Sequence, residues 1–483
     1  MKLFGHATRN RIEELEKVIE KLRQEIEELR REREQLEKEK ERLRQERDHL
    51  EKELELARRA GKRQAAPFSK GEPKSDPKKP GRKPGEDYGR KAHRAIPVHA
   101  DEEIQVFLPG SCPDCGGEIE DRRVENQYQQ EIVRKTRVTC FKVHVGHCVN
   151  CGARVQGRHP RQTSDALGAA ASQIGPEALS LATLFNKELG IPFAKTAAVL
   201  DKGFGLKVTP GGLSQALARI GKRCEPTYES LKQHVQTSIS VTMDESGWRV
   251  AGLPWWLWVA VTPEVTVYAI LPGRGFKEAT SLVGADFAGF LIHDGWRVYY
   301  QYTSAWHQSC QRHLINRCNE MICDASPTAA MLPLRVKEVL LTGLDLRDRH
   351  LEGTVSTHGL AVATGRLEAQ LDRLLDRPYR LPENRRLAKH LDHEFDHLFT
   401  YLKCPGLEAT NYRGEQAVRP AVVTRKVWGG NRTENGAHTQ EVMTSVLRTS
   451  KQQQKDSIAL LSNLMRSPRS YVLDIIPPRA SPN

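Results

Sequence analysis

No run of the 483-residue sequence is both long enough and apolar enough to cross a bilayer. The best stretch, Leu253 to Leu271, is interrupted by Pro254, Pro263 and Glu264, and its second half alternates apolar with polar residues as a strand does. The opening MKLFGHATRN also lacks the apolar segment of a secretory signal. The expectation is a cytoplasmic protein. In that reducing compartment the ten cysteines favour metal binding over disulfides. Acidic residues are in deficit, 61 against 74 Lys and Arg, and the net charge of +13 asks for a polyanionic partner, nucleic acid or an anionic membrane surface. A chain of this length divides into several modules rather than one core.

The first module, expected over 9–58, is almost wholly Glu, Lys, Arg, Gln and Leu. Leucine recurs every seventh residue at Leu15, Leu22, Leu29, Leu36, Leu43 and Leu50, with Ile12, Ile19, Ile26, Arg33, Lys40, Arg47 and Leu54 in the matching column. β-Branched a residues with Leu at d favour a parallel two-stranded coiled coil, so a homodimer or higher homo-oligomer is expected. A solvated single helix is the plainer alternative. Next comes a linker, 59–94, rich in Lys, Arg, Pro and Gly. Arg58 to Arg94 holds 13 basic and 4 acidic residues, and Lys78, Lys79, Arg82 and Lys83 are its candidate DNA contacts. A charged spacer would look similar.

Residues 95–161 hold two cysteine pairs, Cys112-Pro-Asp-Cys115 and Cys148-Val-Asn-Cys151, each followed by glycine. Two residues between thiolates let one turn present both sulfurs to one ion, and Gly116 and Gly152 permit the positive φ of such a knuckle. A zinc-ribbon-like module with intervening strands and one structural Zn²⁺ follows. Cys140, His144 and His147 are rival ligands. Residues 162–236 read as helical. Ile191–Phe204, a turn, and a second short helix over 211–220 resemble a helix-turn-helix, with Ser214, Gln215 and Arg219 as candidate groove contacts. Plain helix packing gives the same pattern.

From Ser238 the texture changes to strands: SISVTMDESGWRV, PWWLWVAVT and EVTVYAIL, then a helical stretch near Lys277 to Leu282 and a fourth strand, GFLIHDGW. Strand, strand, strand, helix, strand is the opening order of the ribonuclease H-like fold. It sets Asp244 on the first strand beside Asp294 at the end of the fourth. Carboxylates so placed repel unless a cation lies between them, which implies Mg²⁺ or Mn²⁺ and phosphodiester chemistry. Two ordinary strand-end aspartates are the alternative.

At this point the chain resembles the insertion sequence 66 family of bacterial transposases. The matching stretches are PFSKGEPKSDPKKPGRKPG, the double CxxCG, QGRHPRQTSDALGAAASQIGPEALSLATLFNKELG, MDESGWRV, HDGW, HQSCQRHL and NYRGEQAVRPAVVTRKVWGGNRTENGA. The resemblance implies a DDE transposase that cleaves transposon ends and transfers strands into target DNA, with Asp244, Asp294 and Glu415 as the acids. It also implies double-stranded DNA and small accessory proteins as partners. Gln416 stands where the family often has Arg.

The fold class expected is thus multidomain α+β: coiled coil, zinc module, helical DNA-binding region, and a ribonuclease H-like core over 237–435 with a C-terminal helical segment at 436–483. The separation of 121 positions from Asp294 to Glu415 implies a helical insertion at about 320–405. At its start His307, Cys310 and His313 fall at i, i+3, i+6, as on one helix. That pattern marks either a packing face or a second metal site. Spacing leaves Glu408, Glu434 and Glu441 as rivals for the third acid. A helix beginning after Asn411 favours Glu415, whereas Glu434 reads as lying on a mobile loop and Glu441 on a helix surface. Arg425 and Lys426 are candidate phosphate contacts, and Trp428 either stacks a base or belongs to the core. The contrary reading is a dimeric zinc-containing DNA-binding protein whose core is inactive or only a nuclease.

Overall fold

The computed structural model describes residues 3–62, 96–120, 123–130, 132, 136–168, 173–324 and 326–478, with side chains of the first helix at 19–47, 49 and 50. The candidate contacts Lys78, Lys79, Arg82 and Lys83 lie outside the described residues. Two compact units are present, 1–82 and 83–483.

The first unit holds helix α1 (Leu3–Lys62). Leu, Glu, Lys and Arg are strong helix formers, and Glu34–Lys38 at i, i+4 (2.9 Å) adds support along the surface. Ile19, Leu22, Ile26, Leu29, Leu36, Leu43 and Leu50 are all exposed and form an apolar stripe along the helix.

In the second unit the two knuckles form as turns. Gly116 and Gly152 take φ of +75° and +70° and donate back to the carbonyls of Cys112 and Cys148 at 2.8 Å. Strands β1 (Val145–His147) and β2 (Arg154–Gln156) form a hairpin around the second knuckle. The further strands expected in this module are absent among the described residues. Val98, Val106, Phe107, Val124 and Val138 stay exposed, so no second apolar face exists for them to build on.

Helix α2 (Pro176–Thr183) runs into one π-helical turn, Leu184–Glu188, and is followed by α3 (Phe193–Phe204), which ends on Gly205 at φ +69°. Thr209 then caps α4 (Pro210–Gln236). The second short helix expected at 211–220 is therefore corrected: α4 has 27 residues. Its apolar residues continue past Ile220 through Cys224, Tyr228, Leu231 and Val235, and that buried stripe carries the helix along the sheet. Ser214, Gln215 and Arg219 lie on its exposed side.

The sheet comprises β3 (Ser240–Val250), β4 (Leu253–Val261) and β5 (Thr266–Leu271) as an antiparallel meander. Then come α5 (Phe276–Val283), β6 (Phe290–His293) and β7 (Trp306–Ser309), with β6 parallel to both β3 and β7. The order is β5-β4-β3-β6-β7, so the first and fourth strands are neighbours as expected. Helices α6 (Gln311–Asp324), α7 (Pro327–Leu351), α8 (Thr357–Leu375), α9 (Pro382–Glu394) and α10 (Thr400–Lys403) enclose a separate core that includes Val336, Leu340, Leu371, Leu391 and Phe399. Helical structure after β7 begins at Gln311. Helix α11 (Tyr412–Trp428) returns to the sheet, followed by α12 (Glu434–Gln452) and α13 (Ser457–Arg466).

The sheet's two faces sort by residue parity. Val241 and Met243 on β3, with Trp258 and Ala260 on β4, face α4, α5, α12 and α13. Trp248 and Val250, with Leu257 and Val259, face Ala417 and Val418 of α11. The boundaries expected at 236 and 435 therefore cut through one hydrophobic core, since α4 and α12 both belong to it. Helix α12 also closes the sheet edge. Glu441, Ser445 and Thr449, four residues apart, accept from the outward N–H groups of Ile270, Tyr268 and Thr266 at 2.6, 2.9 and 3.1 Å. A row of donors that would otherwise recruit another strand is consumed by one helix face.

Candidate active site

Asp244 shares its parity with Trp248 and so faces α11. The β3–β6 register pairs Thr242 with Ile292, and continuing it two residues sets Asp244 level with Asp294. On the other side Gly414, in the first turn of α11, lies so near that a β-carbon on it would stand 3.0 Å from that of Asp244. The next residue is Glu415, whose N–H donates to Asn411 O at 3.0 Å. The three acids thus converge from a strand, a strand end and a helix start. Burial first, then the charges of Glu245, Asp294 and Glu415, push the Asp244 carboxyl up to about 7, against the pull of the Glu245 N–H. A carboxyl in that position binds a proton or a cation. Among the described residues the three carboxylates do not themselves form a group of metal-sized spacing, but as oxygen ligands they suit a hard divalent ion.

Two further acids went unnoticed in the sequence. Glu245, of opposite parity to Asp244, is almost fully buried and accepts from Arg274 Nε (3.0 Å) and from the Tyr299 hydroxyl. Burial raises its pKa, and those two bonds oppose the rise. Arg274 is itself wedged between rings, its guanidinium carbon 3.1 Å from the Trp296 centroid and 4.7 Å from that of Trp256. The second acid, Glu394, comes from α9 of the insertion. It is buried, accepts from Ser309 Oγ, and lies 3.3 Å from where a β-carbon on Gly295 would be. Burial and, in smaller part, Asp294 raise its pKa.

Behind Asp294 runs a chain of imidazoles. Gly295 N–H donates to His293 Nδ1 (3.0 Å), His293 Nε2–H to His307 Nδ1 (3.1 Å), and His307 Nε2–H to the Tyr302 carbonyl (3.1 Å). Each ring accepts on one nitrogen and donates on the other, so both are neutral. Burial drives His293 well below its ordinary range and His307 down to about 4, with neighbouring His397 adding to both. His307 is therefore corrected: it sits on β7, not on a helix with Cys310 and His313.

Cys310 and His313 go elsewhere. With Glu415 they form a group whose ligand atoms all lie within 4.8 Å of one another. Among the described residues the two knuckles do not assemble into such a group, although Cys112 with Cys115, and Cys148 with Cys151, are each paired by hydrogen bonds.

Residues 171–439, more than half of the chain, match the profile of the transposase IS66 family. The chain belongs to that family. A comparison with curated proteins finds no match. The matched segment contains Asp244, Asp294 and Glu415, whereas the knuckles and α1 lie before it. Membership of this transposase family supports a transposase function and implies use of a divalent metal.

The rival acids lie elsewhere in the fold. Glu408 pairs with Arg413 at 3.0 Å. Glu434 does not lie on a mobile loop but in the first turn of α12, behind the Thr433 cap and an Asn431 that is bonded to Trp248 Nε1, Arg249 O and Ala251 N. Glu441 is not a surface residue; it is buried against the β5 edge. Of the candidate phosphate contacts, Lys426 is exposed, but Arg425 donates to Gly247 O and Ser246 Oγ of β3. Trp428 donates to Gly190 O at 2.7 Å with Lys187 Nζ over its ring at 5.5 Å, so it is packed rather than free to stack a base.

Proposed function

We propose that this IS66 family member is a DDE transposase with a ribonuclease H-like core, cleaving transposon ends and joining the freed strands to target DNA. The observation that carries this reading is the convergence of Asp244, Asp294 and Glu415, where burial first and then the neighbouring acids push the Asp244 carboxyl up to about 7. All three would hold Mg²⁺ or Mn²⁺. Bound there, such ions supply the activation of a water or a 3'-hydroxyl and the stabilisation of the leaving oxygen. The chain's own residues do the positioning. Gly414 allows α11 to bring Glu415 against β3, and the neutral His293–His307 chain fixes the backbone just after Asp294. On the other face of β3, Glu245 holds Arg274 between the Trp256 and Trp296 rings, with its side chain about one-third exposed.

The outlying modules extend the reading. Residues 9–58 form a parallel coiled-coil dimer through the exposed Leu and Ile stripe. Cys112, Cys115, Cys148 and Cys151 hold one structural zinc. The basic linker with Lys78, Lys79, Arg82 and Lys83, together with Ser214, Gln215, Arg219, Arg425 and Lys426, contacts DNA. The protein works in the cytoplasm, on the nucleoid, with accessory proteins of the same element. The test is incubation of full-length protein with labelled element ends, Mg²⁺ and a target plasmid. Cleaved ends and joined products should form with the wild type and vanish with Asp244→Asn, Asp294→Asn or Glu415→Gln while end binding persists. End binding with no Mg²⁺-dependent product from the wild type would leave a DNA-binding protein with an inactive core.

A further inference from the structure

Cys310, His313 and Glu415 reach one another from separate stretches of chain. Cys310 follows the last residue of β7 and is buried, His313 lies in the first turn of α6, and Glu415 in the first turn of α11. Two backbone bonds brace these stretches together. Asn411 N–H donates to Cys310 Sγ at 3.1 Å, and Gln311 N–H to Ala409 O at 3.1 Å. His313 Nε2 stands 3.6 Å from Glu415 Oε1. Two donors on one tetrahedral zinc, each at about 2.0 to 2.1 Å, are about 3.3 Å apart, so a small closure of this pair makes a site. His313 is 45% exposed and Glu415 31%, which leaves a way in from solvent down to the buried sulfur.

The donor set decides which ion fits. Magnesium takes oxygen ligands in an octahedron, whereas sulfur, imidazole nitrogen and one carboxylate oxygen suit a borderline-soft ion with one position left for water. The geometry points to a second divalent-cation site at Cys310, His313 and Glu415 that binds thiophilic ions such as Zn²⁺ or Cd²⁺ and shares Glu415 with the magnesium site. The site itself follows from the three ligands; its consequence rests on the proposed function. A Glu415 carboxylate drawn to zinc is withheld from Asp244 and Asp294, so zinc occupancy is a brake on cleavage.

The experiment uses full-length protein stripped of metal and titrated with Cd²⁺, following sulfur-to-cadmium charge-transfer absorption and bound metal per chain. Wild type should bind one equivalent more than Cys310→Ser or His313→Gln; the knuckles contribute equally to all three. Zn²⁺ should displace the extra equivalent and millimolar-range Mg²⁺ should not. In the end-cleavage reaction, Zn²⁺ added over fixed Mg²⁺ should inhibit wild type. The midpoint should move at least about tenfold higher in both variants, the scale on which perturbed metal sites lose affinity. Equal cadmium stoichiometry in all three proteins overturns the site, and His313→Gln, a change at a half-exposed side chain, keeps that outcome readable if Cys310→Ser folds poorly. Unequal stoichiometry with identical zinc inhibition overturns the brake. An extra cadmium in wild type with no Mg²⁺-dependent cleavage overturns the proposed function and leaves the site standing.

Discussion

Gly414 and Asp244 are in backbone-limited contact: a methyl on the glycine would lie 3.0 Å from the aspartate β-carbon and 2.4 Å from Asn411 Oδ1. The start of α11, and with it Glu415, is therefore placed by the absence of a side chain. Gly414→Ala should push α11 off β3 and lower end cleavage by about 100-fold, the cost of about a 1 Å misplacement in an active site. End binding should be unchanged. Full activity in Gly414→Ala would show that Glu415 is not held by this contact.

Asp244 gives a pH dependence whose sign is fixed. Its carboxyl is pushed up to about 7 by burial, then by Glu245, Asp294 and Glu415, while in the unfolded chain it titrates near about 4. The folded metal-free protein therefore binds the proton more tightly, and its stability falls as pH rises from about 4 to about 7. Asp244→Asn removes that loss. The variant should match wild type at pH 4 and be more stable at pH 8 by on the order of 3 kcal/mol without metal. Mg²⁺ should narrow the gap by stabilising wild type alone. Urea unfolding of both proteins with and without Mg²⁺ is the measurement, and equal stability at pH 8 would rule out the raised carboxyl.

Glu434 and Glu441 are both on α12 but carry different loads. Glu441→Ala leaves the buried Ile270 N–H without its acceptor and should cost about 1–3 kcal/mol in denaturant unfolding. Glu434→Gln loses only a charge at a helix start, about 0.3–1 kcal/mol, and should keep most cleavage activity. A dead Glu434→Gln beside an active Glu415→Gln would move the third acid to α12.

The β3–β4 turn holds Ala251 at φ +51° and Gly252 at +81°. Two positive φ values match a tight hairpin turn, and the alanine is strained there. Ala251→Gly should raise stability by about 1 kcal/mol, since the N–H to Asn431 O is kept. A lower unfolding midpoint would mean that chain entropy outweighs the relieved strain.

The placement of Asp244 and Asp294 on neighbouring strands is legible because each sits on a run whose alternation fixes its parity and whose order fixes its neighbour. The helix that carries Glu415 is legible from Asn411, after which it begins. His307 was misread because spacing of three is helical on paper, yet β6 already offered a parallel partner, and WHQS buried its histidine there. Glu245 could have been found from its own parity, an acid pointing into an apolar face. Glu394 could not: HLDHEFDHL gives no local sign that α9 brings one carboxyl beside Gly295 and Ser309, since that placement depends on how the insertion docks. The same holds for Ser445 and Thr449, which read as helix-surface residues until the edge of β5 lies against them.

That edge has a consequence for how the protein is made. Ile270 leaves the ribosome 171 residues before Glu441, the acceptor its N–H requires. At synthesis rates of about 5–20 residues per second, the nascent sheet stands open for roughly 10–30 s, with strand-pairing groups bare and aggregation-exposed. The third acid is equally late. Until the last seventh of translation the growing chain lacks Glu415, so on the proposed function a truncated product or a stalled nascent chain carries the two aspartates without their partner and is unable to cut the chromosome beside it.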